Sequence, residues 1–224
     1  MAQSRGQTDQ TEQVLHNAAS CVGRSCDAAG TEGTIPLMGI AGANAADMLD
    51  ALSAATPGDA TLSALASRVR GGEKLLFKDD GPEHITASYL VFDSALGHVL
   101  LQFHTKGQFW VQFGGHLERA DSSFLAAAVR ELVEESGLVA VALVSPQPLD
   151  VDVQSLDDRF GMCRTHFDLL FAGRTARSAR AEMNQESEAI EWFAVDRLPP
   201  NAATGLQTRV LAARLSIRQR ESES

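Results

Sequence analysis

Apolar positions recur at helical spacing in four stretches of the chain and fall into alternation or short runs across most of the rest. From Ala43 to Ala55 and from Ala60 to Val69, Ala and Leu repeat with helical periodicity. The break between them, Thr56-Pro57-Gly58-Asp59, reads as a turn with Asp59 near a helix N-terminus, and Gly71-Gly72 closes the second helix. Beyond Gly81-Pro82 the pattern shortens to strand length: Ile85, Ala87, Tyr89, Val91 and Phe92 predict one strand, His98 to His104 a second and Gln108 to Phe113 a third. Turns at Ser94 to Gly97 and at Lys106-Gly107 separate them. A third helix starting near Asp121 places Phe124, Leu125, Ala128, Val129 and Leu132 on one buried face. Further strands follow at Val139 to Val144, from Leu149 to Val153 after Pro146 and Pro148, at Cys163 to Ala172, and at Ile190 to Ala194. Pro199-Pro200 precedes a last helix over Thr208 to Arg218, with Leu211 and Leu215 one turn apart.

Strands gathered around one internal helix and closed by another predict an α/β (α+β) domain. Its span is residues 84–218, behind a helical extension at 41–72. Residues 1–40 are rich in Gln, Ser, Thr, Gly and Ala without periodicity and read as a flexible leader. Three uses are open to the extension: packing on the domain, building a homodimer, or covering a substrate. At 224 residues, 44% of them hydrophobic, the chain is large enough to bury a good core. The formal net charge of -10 disfavours nucleic acid and acidic membranes as partners. An anionic substrate then needs local cations, for which Lys106, Arg119 and Arg164 are candidates. An odd count of three cysteines, Cys21, Cys26 and Cys163, is no disulfide framework. With no apolar run of spanning length and no export signal, the expected compartment is the cytoplasm.

Chemistry concentrates between residues 114 and 138, GGHLERADSSFLAAAVRELVEESGL. On the third helix Glu131, Glu134 and Glu135 are related by i, i+3 and i+4, so their carboxylates share one patch. Like charges at that spacing repel by a few tenths of a kcal/mol per pair unless a cation joins them, and clustered oxygen ligands suit Mg²⁺ or Mn²⁺. Gly137 follows as a C-cap.

The run Arg130-Glu131-Leu132-Val133-Glu134-Glu135-Ser136-Gly137-Leu138 resembles the second half of the Nudix box at every defined position. The first half departs from it: Gly115 leads after five residues to Asp121 instead of Glu, and the spacer to Arg130 is one residue longer. HVLLQFHTKGQFWVQFGGHLE is similar to a branch of that family with a GGH-x-E loop. The resemblance implies the Nudix fold, a mixed β-sheet sandwiched between helices. It also implies a divalent-metal-dependent hydrolase that cleaves a phosphoanhydride bond in a nucleoside diphosphate linked to another moiety. Implied metal ligands are the Gly114 carbonyl with Glu131, Glu134 and Glu135. Glu134 or Glu135 accepts the proton from water, and Glu186, or Glu188 in its place, contributes a later acid. Arg130 is either a phosphate contact or, as the resemblance favours, a tie from the helix to Glu118 or Asp121. Lys106 and Trp110 fall beside the site. His116 touches substrate or is simply exposed in the loop, Trp110 stacks on a base or packs in the core, and His104 and His166 are read as packing residues. A non-catalytic nucleotide-metabolite sensor of the same fold is the alternative; loss of box acids would mark it, and none is lost. An isopentenyl-diphosphate isomerase-like enzyme would need a cysteine ahead of the box, where none lies between Cys26 and Cys163.

Overall fold

The computed structural model describes residues 39–40, 43–55, 60–185 and 187–223. The proposed leader, except for its last two residues, the turn at 56–59 and Glu186 lie outside them. Two antiparallel helices come first, α1 (Ala43–Ala55) and α2 (Ala60–Arg70), and Gly71-Gly72 ends the second as expected. The strands are β1 (Glu83–Asp93), β2 (His98–His104), β3 (Phe109–Val111) and β4 (Phe113–His116). Helix α3 (Phe124–Ser136) is followed by β5 (Ala142–Leu143), β6 (Asp150–Ser155), β7 (Thr165–Thr175), β8 (Ser187–Ala194) and α4 (Leu206–Ser222).

β1 is the centre of one mixed sheet. It pairs antiparallel with β2 and β4 and parallel with β7 over eleven residues, from Glu83↔Thr165 to Asp93↔Thr175. β8 and β3 flank β2, while β5 and β6 flank β7. A strand covered on both faces reads as a continuous apolar run, and β1 is buried along all but its first residue. Period two then sorts its side chains. Ile85, Ala87, Tyr89 and Val91 join Phe167, Leu169 and Phe171 of β7 in a core with α1, α2 and α3. Leu90 and Phe92 join Leu170 and Ala172 in a second core, roofed by Leu206, Val210, Ala213 and Ile217 of α4.

The extension packs on the domain: Leu49, Leu62 and Leu65, at 0–1% exposure, share the first core with Phe124 and Phe167. Arg68 pairs with Glu83 at 2.9 Å and lies over the Phe167 ring. Ile40 is also buried and donates its N–H to the Asp121 carbonyl at 2.8 Å.

Several expectations are corrected. α3 begins at Phe124, not near Asp121, because Ser123 caps it by accepting from the Ala126 N–H at 3.0 Å. The strand expected over Val139 to Val144 shrinks to Ala142–Leu143, an exposed edge piece bonded only to the far end of β7. α4 turns Leu211 and Leu215 to solvent, 41% and 59% exposed. Its buried stripe contains Arg209, held by Asp150 at 2.6 Å and Asp168 at 2.9 Å, and that pairing sets which face turns inward.

Candidate active site

The glycine pair lies on β4, where Gly114 is opposite Ser88 and Gly115 opposite Ala87. Gly114 has φ +147°, and a Cβ there would stand 2.5 Å from the Ser88 Cα, so only glycine allows the two strands to approach. At Gly115 a Cβ would meet the Glu131 carboxylate at 2.8 Å. The missing side chains thus make room for α3 to bring its acids against the strand backbone.

The three box glutamates do not share one environment. Glu135 is 3% exposed and accepts the Gly114 N–H at 2.7 Å, which corrects the placing of all three on one open patch. Glu131 is half-buried beside Gly115, and the Glu134 side chain is 53% exposed. Arg130 links them. Its Nη1 donates to Glu131 at 3.0 Å and Glu134 at 3.1 Å, its Nη2 to the His116 carbonyl at 2.9 Å, and Nε with Nη2 forms a fork on Asp121 at 3.0 and 3.1 Å. Glu118 is left at 3.9 Å, so Asp121 is the acid that ties the helix to the loop. Asp121 also accepts from the Glu118 N–H at 2.7 Å, closing the turn that leads into the longer spacer. Burial pulls the Arg130 guanidinium down, but the bond to Asp121 and the charges of Glu131 and Asp121 outweigh it and raise its pKa.

Beside this frame opens a cleft of about 490 Å³ whose walls include Lys78, Lys106, His104, His116, Phe160 and His166. A second hollow of about 240 Å³ shares His104, His116, Phe160 and His166 with it and reaches Gly114, Gly115, Glu131 and Asp168. Lys106 lines this cleft, and so does Lys78, a cation the sequence reading did not name. Arg119 is not in the cleft: it pairs with Asp79 at 3.0 Å and covers the Phe77 ring. Arg164 pairs with Asp158 at 3.1 Å. Trp110 faces away. In β3 it alternates with Phe109 and Val111, which line the second hollow, and packs instead on Phe103 and Phe193 in the second core. Glu188 is exposed and accepts from Gln108 at 3.1 Å.

Histidines hold more of this region than their sequence positions suggested. His116 is half-buried, not exposed on a loop tip, and its ring lies 4.9 Å from that of His84 and 5.2 Å from that of His166. His166 is a cleft wall residue instead of core packing. Burial, then the neighbouring His166 and Lys78 charges, pushes His116 down to about 3; burial and His84 push His166 down to about 4. His104 lines the cleft and accepts the Gly107 N–H at 2.9 Å. Asp168 was also missed. Buried on β7, it accepts from Thr86 at 3.0 Å, Ser88 at 2.7 Å and Arg209 at 2.9 Å. Its available signal was Thr86 and Ser88, two hydroxyls at alternate positions of an otherwise apolar strand.

The NUDIX domain family model matches residues 82–213. A hydrolase of the NUDIX family from Clostridium perfringens is similar in structure, with 21% identity, 60% of this chain and 97% of that one covered, and a TM-score of 0.50. An Ap4A hydrolase from C. elegans superposes with 14% identity, 59% and 97% coverage and a TM-score of 0.49. Comparison with curated proteins returns no match. A family model spanning more than half of the sequence, on a mixed sheet that carries the box between β4 and the end of α3, means that the chain belongs to the Nudix family, as one of its hydrolases.

Proposed function

We propose that the protein is a divalent-metal-dependent pyrophosphohydrolase that cleaves a phosphoanhydride bond in a nucleoside diphosphate linked to another moiety, by water attack on phosphorus. The observation that carries this reading is the Arg130 frame: one guanidinium holds Asp121, Glu131 and Glu134 in place beside a cleft with Lys78 and Lys106 on its wall. Hard carboxylate oxygens against a glycine backbone that leaves them space fit Mg²⁺ or Mn²⁺. Glu131, Glu134, Glu135 and the Gly114 carbonyl would hold the ion. Bound there, it would neutralise phosphate charge and acidify a water.

The chain's own groups divide the remaining work. Lys78 and Lys106 attract the anionic phosphates despite the net charge of -10. Phe160 offers an apolar surface to the rest of the substrate. Glu134, the box acid most open to water, accepts the proton, while Glu135 is committed to the Gly114 N–H. Arg130 is a positioning residue, and Glu186 remains a candidate for the later acid. The working compartment on this reading is the cytoplasm.

A panel of nucleoside diphosphate derivatives with Mg²⁺ or Mn²⁺, read by release of nucleoside monophosphate, tests the proposal. Turnover by the wild type, with Glu134→Gln folded but slower by about two to four orders of magnitude in kcat, is the expected result. Full activity in chelator, or in Glu134→Gln, would overturn it.

A further inference from the structure

Where His116, Cys163 and His166 line the cleft, four side chains from three strand regions point at one another: His84 at the start of β1, His116 at the end of β4, and Cys163 and His166 at the entrance to β7. Each offers one ligand atom, and all four atoms lie within 4.8 Å of one another. Cys163 Sγ is 3.8 Å from His116 Nε2, and the His84 and His166 ring centres are 4.8 Å apart. The fold puts them there by register, since His84 and His166 are directly paired in the parallel ladder and His116 is opposite Thr86, two residues along β1. The Pro82 carbonyl accepts from the N–H groups of Arg164 and Thr165 at 2.8 and 3.1 Å, which fixes the Cys163 turn against the beginning of β1.

The protonation pattern is that of ligands. His84 Nδ1 is 3.0 Å from the Gly81 carbonyl, so that nitrogen carries the proton and the lone pair is on Nε2, facing inward. His84 Nε2 and His166 Nε2 are buried and have no hydrogen-bond partner among the described residues. Three imidazoles and one thiol make a soft nitrogen and sulfur donor set, unlike the carboxylates of the box.

The geometry points to a second metal centre, distinct from the box: a closed, tetrahedral His₃Cys site for one zinc-class divalent transition ion. Ligand separations in such a site are about 3.3–3.6 Å, so the four side chains need to draw in by about 1 Å. Four protein ligands leave no open position, which makes the ion structural. It would staple the His116 end of the glycine-pair strand to the starts of β1 and β7, directly beside the hydrolytic site. The inference does not rest on the proposed hydrolysis.

Chelator-stripped full-length protein titrated with Co²⁺ provides the test. With excess Mg²⁺ present to occupy the box, one equivalent should bind, with visible bands of tetrahedral intensity and a thiolate-to-cobalt charge-transfer band in the near ultraviolet; Zn²⁺ should displace it and further Mg²⁺ should not. Cys163→Ser should lose the charge-transfer band. Removing a ligand, by His84→Gln, should weaken Co²⁺ binding at least ten- to hundredfold. Glu131→Gln with Glu134→Gln should leave spectrum and stoichiometry unchanged, which separates this centre from the box. Absence of a thiolate band in the wild type, or Co²⁺ displaced by Mg²⁺, overturns the proposal. X-ray absorption of the zinc form of the wild type, expected to show one sulfur and three nitrogen neighbours, decides the matter even where a variant fails to fold.

Discussion

Removing the Arg130 side chain would leave the Asp121 carboxylate buried with its charge and, among the described residues, one remaining donor, the Glu118 N–H. Breaking a buried pair costs more than the pair itself contributes, so Arg130→Ala should lose about 3 kcal/mol in denaturant unfolding along with turnover. Arg130→Lys should recover only part of that, because an ammonium cannot make the fork on Asp121. At Glu135 two substitutions should separate structure from chemistry. Glu135→Ala orphans the Gly114 N–H and should cost about 1–3 kcal/mol, whereas Glu135→Gln keeps an acceptor there, melts close to wild type and loses affinity for the catalytic ion. Helical spacing made the box glutamates legible, and the resemblance to the box favoured the Arg130 tie, since both depend on positions within one helix and the loop before it. The burial of Glu135 was not legible, because helical periodicity does not say which strand docks on the acid face. The histidine cluster was hidden for a similar reason. Its members are separated by up to 82 residues, and only Cys163 and His166 are near enough in sequence to leave a local signal.

Elements were read best where a single pattern governed them. β1, β2, β6 and β7 fall within a few residues of expectation because alternation and turn chemistry agree there. β5 is shorter than expected because only Ala142 and Leu143 find partners on β7, and the spacing of Leu211 and Leu215 did not say which face of α4 turns inward. The turn between β1 and β2 shows how a polar residue sets such an outcome. Asp93 accepts from the N–H groups of Gly97 and His98 at 2.7 and 3.1 Å and meets the His98 ring at 3.1 Å. Burial pushes its carboxyl up, but the N–H groups of His98 and Gly97 and the His98 ring prevail and hold it below the ordinary range. A depressed carboxyl contributes stability that is complete above its unfolded value of about 3.9 and is lost as pH falls through the folded value. Asp93→Asn should therefore be less stable than wild type at neutral pH, and the gap should close in acid. Melting temperatures of both proteins across that range measure it.

For the molecule as a whole, the sequence left three uses of the helical extension open, since an apolar face on Ala-rich helices says only that something covers it. That covering is the same core that supports α3. Leu49, fully buried among Leu62, Leu65 and their neighbours, should on replacement by Ala cost about 2–5 kcal/mol. The loss should appear as a shift of one cooperative transition seen equally by far-ultraviolet dichroism and by catalytic activity; a separate early step confined to the helices would contradict the shared core. No helix among the described residues is long and apolar enough to cross a membrane. The parallel bond between β1 and β7 carries a consequence for synthesis. β1 leaves the ribosome well ahead of the strand that completes it, and the carboxylate that its Thr86 and Ser88 hold gains its counter-ion only when Arg209 has followed. The nascent chain must therefore wait, with its central strand half-dressed, for nearly the last helix to emerge, and translation products that stop short of residue 209 should be prime substrates for proteolytic clearance.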